Sequence, residues 1–381
     1  MDYRKLPRGE EQISTLGLGG EGLAGLPAQE VVEIFDHAMQ NGVNILDIFM
    51  PEPEVRTNIG LALQGRREQM HIQGHLCATY QDGQYTRTRD LEKTKVAFED
   101  LLTRLKTDYI DFGMIHYVDK DKDYERMLRN GILQYAQELK RQGVVRHIGF
   151  STHNPLLARK MITGGEFDLF MFSINPAYDL DESNYDDVDA LTEFKGIAGE
   201  GLGVASPRAG LYAESARLGI GITVMKALAG GALLGGKGSP FGQALSVVQC
   251  MHYSLTRPAV LSCLLGIHSL AQLKDALKYY TASDQEKDFA LIARSPRYAM
   301  AGHCMYCNHC LPCPANIDIA AVFKYLDLAT SGDVVPETVR AHYFALGVHA
   351  SDCIQCGDCE PNCPFGVEII ERMLQAQVVF R

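Results

Sequence analysis

Short apolar runs alternate with amphipathic stretches from the N-terminus to about residue 282. The runs are nearly continuous, as in buried parallel strands, and the stretches between them have helical periodicity. In the first stretch, Val31, Ile34, Phe35 and Ala38 fall on one helical face. The eight runs are Leu16–Gly20, Val43–Asp47, His71–Gly74, Tyr109–His116, Arg146–Ser151, Asp168–Asn175, Gly221–Lys226 and Val260–Gly266. Strands that each precede a helix predict an α/β fold with a parallel sheet.

The number of runs distinguishes between the two common parallel architectures. Eight strands, each followed by a helix, are typical of a (β/α)8 TIM barrel. The count of eight strands argues against a Rossmann domain, although Gly20–Gly25 has the Gly-x-Gly-x-x-Gly spacing. The length of 381 residues leaves room for an appended module. We therefore expect a barrel over residues 1–295 and a second domain over residues 296–381.

Polar side chains and glycines stand where the apolar runs end. In a (β/α)8 barrel the active site lies at the carboxyl ends of the strands. Buried polar groups there are costly unless they are hydrogen-bonded or used in function. The candidates are Gly20–Gly22, Asp47, His75, His116, Ser151–Thr152–His153, Asn175, Lys226 and Gly230–Gly231. We expect these residues to surround one site.

The order of five segments resembles the aldo/keto reductase family. The segments are Gly42–Asp47, Asp108–His116, Gly149–Ser151, Gly221–Lys226 with Gly230–Gly231, and Gly266–Gln272. The resemblance covers about residues 1–295. It implies an oxidoreductase that acts on a small carbonyl or hydroxy compound or on an activated alkene. It also implies that Asp47 and His116 belong to the active site.

The resemblance further implies a nicotinamide cofactor. Gly230 and Gly231 would let its phosphates approach backbone N–H groups closely. The eighth loop has no evident Arg for a 2′-phosphate, so NADP(H), NAD(H) and an altered site all stay open. The residues implied to bind the cofactor are Ser151, Asn175, Lys226, Gly230, Gly231, Ser269 and Gln272.

The chain departs from the family at the proton donor. The family uses a Tyr a few residues after the Asp and a Lys at the end of the third strand. Here the segment Ile48–Glu54 has no Tyr, and His75 stands where the Lys would be. Tyr80, Tyr85 and Tyr117 are nearby in sequence, but none occupies the expected position.

His75 and His116 end neighbouring predicted strands, and an imidazole can donate or accept a proton near neutral pH. We predict a relocated acid–base pair in which Asp47 raises the pKa of both imidazoles by favouring their charged forms. Glu52 is a second candidate donor. The alternative is that a histidine is a hydrogen-bonded remnant of a degenerate site.

Eight of the eleven cysteines lie near the C-terminus in two runs, each followed by Pro. The runs are Cys304, Cys307, Cys310 and Cys313, and then Cys353, Cys356, Cys359 and Cys363. The second run has the spacing of a bacterial ferredoxin motif, in which three thiolates hold one 4Fe–4S cluster and the fourth ligates the other. We therefore predict two 4Fe–4S clusters, with Cys313 and Cys363 exchanged between the runs.

Residues 296–381, the cysteine module, resemble helical ferredoxin domains, with helices predicted over Ile319–Ala329 and Val335–Leu346. Together with the barrel, the module resembles the iron–sulfur branch of the aldo/keto reductase family. Zinc is an alternative, although zinc sites seldom carry four closely spaced cysteines before a Pro. A disulfide framework is disfavoured because the N-terminus has no apolar signal-peptide region. We expect a reducing cytoplasm.

Composition excludes several classes of partner. The net charge of −11 and the pI of about 5.6 argue against nucleic acid. No long apolar run predicts a membrane span.

Cys77, Cys250 and Cys263 are expected to be small buried hydrophobic residues. The acidic stretch Tyr178–Phe194 is either a lid or a solvated insertion, and Gly235–Pro240 is either a flap or a linker.

The combined expectation is an oxidoreductase of the aldo/keto reductase type that acts on a small molecule and relays electrons through its clusters, with a redox partner protein as a candidate source of electrons. In one alternative, the barrel is catalytically altered and serves as an electron-transfer or scaffold subunit. In another, the clusters are structural and the barrel is an ordinary nicotinamide reductase.

Overall fold

Eight parallel strands close into a barrel at the centre of the computed structural model. The structure describes residues 1–179, 206–235, 239, 241–289, 304, 310–330, 335, 337–363 and 366–381. The barrel strands follow one another in chain order: β3 (Leu16–Gly19), β4 (Ile45–Ile48), β5 (His71–Leu76), β8 (Ile110–Ile115), β9 (Val145–Thr152), β10 (Leu169–Ser173), β11 (Gly221–Met225) and β12 (Val260–Gly266). Each predicted run supplies one strand, so the predicted (β/α)8 barrel is confirmed.

Helices cover the outside of the barrel. They are α1 (Ala28–Gln40), α2 (Pro53–Ala62), α3 (Leu91–Leu105), α4 (Asp121–Arg129), α5 (Ile132–Arg141), α6 (Pro155–Thr163), α7 (Pro176–Asp179), α8 (Ser206–Leu218), α9 (Val247–Leu255), α10 (Leu270–Leu277) and α11 (Asp284–Lys287). In α1, Val31, Ile34, Phe35 and Ala38 are buried, as their spacing predicted. The main apolar core therefore lies between the helices and the sheet.

A short hairpin lies at the amino-terminal end of the barrel. It consists of β1 (Tyr3–Lys5) and β2 (Gln12–Ser14). Its residues Leu6 and Ile13 join Phe112, Met114 and other inward-facing side chains in a second apolar cluster. Near the same end, the His147 ring lies 3.0 Å from a Glu11 oxygen and 3.4 Å from an Asp168 oxygen. The polar groups at this end therefore serve packing and stability.

A second hairpin follows β5 and was not predicted. Its strands are β6 (Ala78–Gln81) and β7 (Gln84–Arg87). The turn residues Asp82 and Gly83 both have positive φ, +50° and +78°. An Asp-Gly pair between short β-prone segments is a strong signal for a two-residue hairpin turn. The sequence therefore carried the signal for this element.

The described part of the cysteine module contains three α-helices: α12 (Ile319–Thr330), α13 (Glu337–Phe344) and α14 (Ile369–Val379). The first two coincide with the predicted helices to within a few residues. Tyr343 stacks on Phe380 with ring centroids 3.8 Å apart, and Arg372 forms an ion pair with Asp327. These contacts pack the helices together, and their buried apolar side chains belong to one cluster with the core of the barrel.

The acidic stretch Tyr178–Phe194 begins inside the structure rather than at its surface. Asp179 is fully buried and lies 2.7 Å from Arg208 Nε, and it accepts hydrogen bonds from Tyr212 and Tyr253. Asp179 is therefore a buried member of an ion pair rather than a solvated residue. The rest of the stretch, residues 180–194, lies outside the described residues, as does most of the predicted flap Gly235–Pro240.

Two further expectations concern buried cysteines and membrane helices. Cys77, Cys250 and Cys263 are buried, which confirms their assignment to the core. Across the part of the chain that the structure describes, no helix is both long enough and apolar enough to cross a membrane.

Candidate active site

Asp47, His75 and His116 meet at the carboxyl end of the barrel, called the mouth below. Asp47 lies in β4, His75 in β5, and His116 directly after β8. His75 Nε2 is 2.8 Å from Asp47 Oδ1, and His75 Nδ1 is 2.9 Å from His116 Nδ1. All three side chains are at most 4% exposed. The structure thus brings the three predicted catalytic residues into one hydrogen-bonded series.

Tyr85 extends this series at its outer end. Its hydroxyl lies 2.6 Å from His116 Nε2, and its side chain is 5% exposed. Tyr85 belongs to the β6–β7 hairpin, which folds back over the mouth. It therefore supplies a phenol beside the predicted histidines, although it comes from another element than the family's Tyr. We call Asp47, His75, His116 and Tyr85 the relay.

The hydrogen-bond pattern defines one arrangement of protons in the relay. An ionised Asp47 only accepts, so His75 Nε2 carries a hydrogen and His75 Nδ1 is an acceptor. His116 Nδ1–H then donates to His75, and His116 Nε2 accepts the Tyr85 hydroxyl proton. Both imidazoles are neutral in this arrangement, and every bond runs toward the carboxylate.

The prediction that Asp47 raises the pKa of both imidazoles is wrong for His116. Burial lowers the pKa of His116 well below its ordinary value, and the charge of His75, when that ring is protonated, and the charges of Arg87 and Arg89 lower it further. His116 contacts His75 rather than Asp47, so it gains no compensating carboxylate. A positive charge in the relay is therefore disfavoured on His116. His75 is the imidazole that contacts the Asp47 carboxylate.

Packing holds the relay side chains in place. Gln73 Nε2 donates to Asp47 Oδ1 over 2.6 Å, and Thr223 donates to the other end of the Gln73 amide over 2.9 Å. The Phe49 ring stacks on His116 with a centroid distance of 5.3 Å and an interplanar angle of 10°. Arg89 donates to the backbone carbonyl of His116 over 2.9 Å. These contacts restrict the rotation of each relay member and keep bulk water from its inner part.

The backbone is strained next to the site. Cys77, Tyr117 and Lys226 have φ of +73°, +51° and +58°, and each follows the end of a barrel strand. Left-handed conformations of such residues are unfavourable and cluster at functional sites. The strain is therefore located where the sequence predicted the site.

A second carboxylate–imidazole pair lies beside the relay. Asp119 Oδ2 is 2.9 Å from His153 Nδ1, and Lys226 Nζ is 3.2 Å from His153 Nε2. Hydrogen bonds and the His153 charge, acting against burial, lower the pKa of Asp119 to about 2. Burial and Lys226 lower the pKa of His153, and with its Nδ1–H donated to Asp119 the ring can accept a hydrogen bond from Lys226 at Nε2. His153 was a strand-end candidate in the sequence, but its partner Asp119 was not.

Two further acids lie near the mouth. Desolvation by the surrounding loops raises the pKa of Glu21. The nearby Asp47 and Glu52 carboxylates raise it further, whereas the Lys226 charge lowers it. Glu21 nevertheless keeps contact with solvent. Burial also raises the pKa of Glu52, and its Oε2 atom is buried without a hydrogen-bond partner. The predicted donor Glu52 is thus near the site, without a hydrogen bond to the relay.

Among the residues implied to bind a nicotinamide cofactor, Ser151 and Asn175 already form hydrogen bonds within the protein. Ser151 Oγ accepts the Tyr117 N–H over 2.8 Å and keeps its own proton to donate. The Asn175 amide donates to Lys226 O over 2.9 Å and accepts the Tyr178 N–H over 3.0 Å.

The phosphate-binding candidates lie in the two loops that follow. Gly230 and Gly231 have φ of +66° and +92°, and a Cβ built on Gly231 would meet no atom within 4 Å. Ser269 Oγ accepts the Gln272 N–H at the start of α10 over 3.3 Å. A hydroxyl donor, an open glycine turn and a lysine at adjoining strand ends are chemically suited to an amide and a pyrophosphate. The donor set therefore fits the cofactor.

Cys313 of the first run lies near Cys359 of the second run. Cys313, Cys353, Cys356 and Cys359 carry free thiols. Burial raises the pKa of the Cys359 thiol to about 11, and Cys356 and Cys313 are near enough to raise it further. Cys307 lies outside the described residues. Over the parts of the chain described, no three His, Cys, Asp or Glu side chains are grouped to hold a single metal ion. The fit to a cluster therefore rests on the donor chemistry and on the approach of Cys313 to the second run.

Comparisons with known proteins agree with the barrel. Residues 15–184 match the model of the Aldo/keto reductase family. The "Uncharacterized oxidoreductase YqkF" of Bacillus subtilis is 30% identical over 166 residues, which are 42% of this chain and 52% of that protein. "Protein tas" of Escherichia coli is 26% identical over 182 residues, which are 40% of this chain and 52% of that protein. The chain spans about half the length of the curated relatives it matches.

A solved structure extends the likeness in fold over more of the chain. The "aldo-keto reductase AKR11C1 from Bacillus halodurans (holo form)" has a TM-score of 0.60 and 20% identity, and the match covers 78% of this chain and 98% of that one. At this identity the likeness concerns the fold alone. Residues 15–184, the part of the chain that matches the Aldo/keto reductase family model, include all four members of the relay.

Proposed function

We propose that the protein is an oxidoreductase of the aldo/keto reductase type that acts at the barrel mouth on a small carbonyl or hydroxy compound or on an activated alkene. The observation that carries the proposal is the hydrogen-bonded relay from Asp47 to the Tyr85 hydroxyl. The sequence resemblance implies a Tyr as the family's proton donor, and Tyr85 supplies a phenol from a different element. Proton transfer by a positioned side chain is what carbonyl reduction requires.

The relay allows proton transfer in both directions. In reduction, the extra proton starts on His75, where the Asp47 carboxylate balances its charge, and His116 Nε2–H donates to the phenol oxygen. Tyr85 gives its proton to the substrate oxygen and takes the proton of His116 Nε2, while His116 Nδ1 takes the proton of His75 Nδ1, so both imidazoles end neutral. In oxidation of an alcohol, the relay withdraws the Tyr85 proton toward His75, and the phenolate accepts the proton of the substrate hydroxyl.

A nicotinamide cofactor, NADP(H) or NAD(H), would supply or accept the hydride when bound. Ser151 and Asn175 would hold its amide, and Lys226 with the Gly230–Gly231 turn would hold its phosphates. Ser269 and Gln272 would line the far end at the start of α10. The support for this part of the proposal is the donor set of these loops and their order along the chain.

We further propose that residues 296–381 form a ferredoxin-like domain with two 4Fe–4S clusters that pass electrons between a redox partner protein and the barrel, in a reducing cytoplasm. One cluster would take Cys353, Cys356, Cys359 and Cys313, and the other would take Cys304, Cys307, Cys310 and Cys363. Protein purified without oxygen should contain about eight iron atoms per chain, measured by elemental analysis. Stoichiometric zinc with little iron would overturn the cluster assignment.

The activity is tested with anaerobically purified full-length protein. NADPH, NADH and a chemically reduced viologen serve as separate electron donors, and small aldehydes, ketones and enones serve as substrates. We expect reduction of at least one carbonyl compound, with a strong loss in the Tyr85→Phe variant. Failure with every donor and substrate would favour the alternative of an electron-transfer or scaffold subunit. That alternative is supported by the Asn175 amide, which is already hydrogen-bonded to Lys226 and Tyr178 within the protein.

A further inference from the structure

The first cysteine run is attached to the β6–β7 hairpin through Gln84. The Cys313 N–H donates to Gln84 Oε1 over 3.1 Å, and Gln84 Nε2 donates to Cys313 O over 3.2 Å. Gln84 Nε2 also contacts Asn316 Oδ1. One side-chain amide therefore binds both backbone polar groups of a cysteine in the module.

The second cysteine run is attached to the loop after β8. Tyr117 OH lies 3.4 Å from the backbone oxygen of Asn362, the residue before Cys363. Arg87 lies over the Tyr117 ring at 3.9 Å from its centroid and reaches the Asn362 side chain at 3.4 Å. Lys120 donates to Pro361 O over 3.1 Å. The module is thus bound at a second place on the same side of the barrel.

Both attachments are one residue away from the relay. Gln84 directly precedes Tyr85, and Tyr117 directly follows His116. The cysteine module binds the β6–β7 hairpin and the loop after β8, and the 2.6 Å contact between Tyr85 and His116 joins these two segments. A displacement of the module would therefore act on both partners of this contact.

We propose that Gln84 is a positioning residue through which the cysteine module holds Tyr85 against His116. An isolated two-stranded hairpin is at best marginally stable in water, so β6 and β7 need anchors to keep the phenol in place. Gln84 supplies one through Cys313, and Arg87 supplies another through Asn362. The inference rests on the proposed role of Tyr85, and it means that an intact module is required for proton transfer even where it carries no electrons.

The experiment compares Gln84→Ala, Gln84→Glu and Gln81→Ala in the full-length anaerobic protein. Gln81 is the matched control because it faces Gln84 across the hairpin and bonds within its own strand to Thr79. Three properties are measured: iron per chain, hydrogen–deuterium exchange of residues 78–87, and the pH profile of turnover. Exchange reports the hairpin even where no turnover is found, so the inference and the proposed function can fail separately.

We expect Gln84→Ala to retain its iron, to exchange faster over the hairpin, and to lose roughly 10–100-fold in turnover. Its pH profile should change in the same way as that of Tyr85→Phe. Gln84→Glu keeps the acceptor for the Cys313 N–H and should recover part of the loss, and Gln81→Ala should behave as wild type. Unchanged exchange in Gln84→Ala, or loss of iron with an unchanged pH profile, would overturn the inference.

Discussion

Replacement of Tyr85 by Phe removes a single hydroxyl from the relay and leaves the ring in place. The hydroxyl is 2.6 Å from His116 Nε2 and is the outermost proton of the series. A positioned general acid is typically worth 10²- to 10⁴-fold, which corresponds to about 3–5 kcal/mol in the barrier. We therefore expect kcat/KM of Tyr85→Phe to fall by about that factor.

The same substitution leaves the buried His116 Nε2 atom without its donor. An unsatisfied buried acceptor costs about 1–3 kcal/mol, so the variant should unfold at a lower temperature while remaining folded at room temperature. Circular dichroism of the variant and of wild type separates this effect from the loss of activity. Iron content should not change, because the substitution alters no cysteine of the module.

Tyr80 provides the matched control for this measurement. It lies opposite Tyr85 in the register of the hairpin and is 41% exposed. Tyr80→Phe should keep wild-type kinetics with each substrate that wild type reduces. If Tyr85→Phe stays within about threefold of wild type while His116→Ala loses activity, an imidazole is the acid, and the role given to Tyr85 is refuted.

Three other predictions concern stability and cofactor binding. Asp179→Ala removes the carboxylate that balances the buried Arg208 charge, so urea unfolding should show a loss of about 3–5 kcal/mol; a loss below about 1 kcal/mol would contradict a stabilising ion pair. Hydrogen bonds to two carboxylates, acting against burial, raise the pKa of His147. This stabilisation is complete below the ordinary pKa of about 6.5 and is lost as pH rises through the folded pKa, so His147→Gln should lower Tm more at pH 6 than at pH 9, and equal losses would count against it. Gly231→Trp should abolish the binding of NADPH and NADH measured by calorimetry. The control variant Gly143→Trp should retain binding, because Gly143 is equally open and has φ of +77° but lies outside the mouth. Binding that survives Gly231→Trp would exclude this turn from the cofactor site.

Local pattern alone was enough to predict the barrel and the location of its mouth. Buried parallel strands need continuous apolar runs, and helices between them need one apolar face, so both leave a signal within a few residues of sequence. Because all eight strands run in one direction, their carboxyl ends must meet at one end of the barrel. Asp47, His75 and His116 could therefore be expected near one another before any distance was known.

Tertiary structure alone decided which groups touch. The Asp82–Gly83 turn indicates a hairpin, but nothing local indicates that the hairpin folds over the mouth and places Tyr85 beside His116. The low pKa of His116 likewise depends on burial and on cations from other elements. The contact between Gln84 and Cys313 joins residues that are 229 positions apart. Such contacts depend on how the folded helices, strands and loops pack against one another, and they leave no periodic pattern in the sequence.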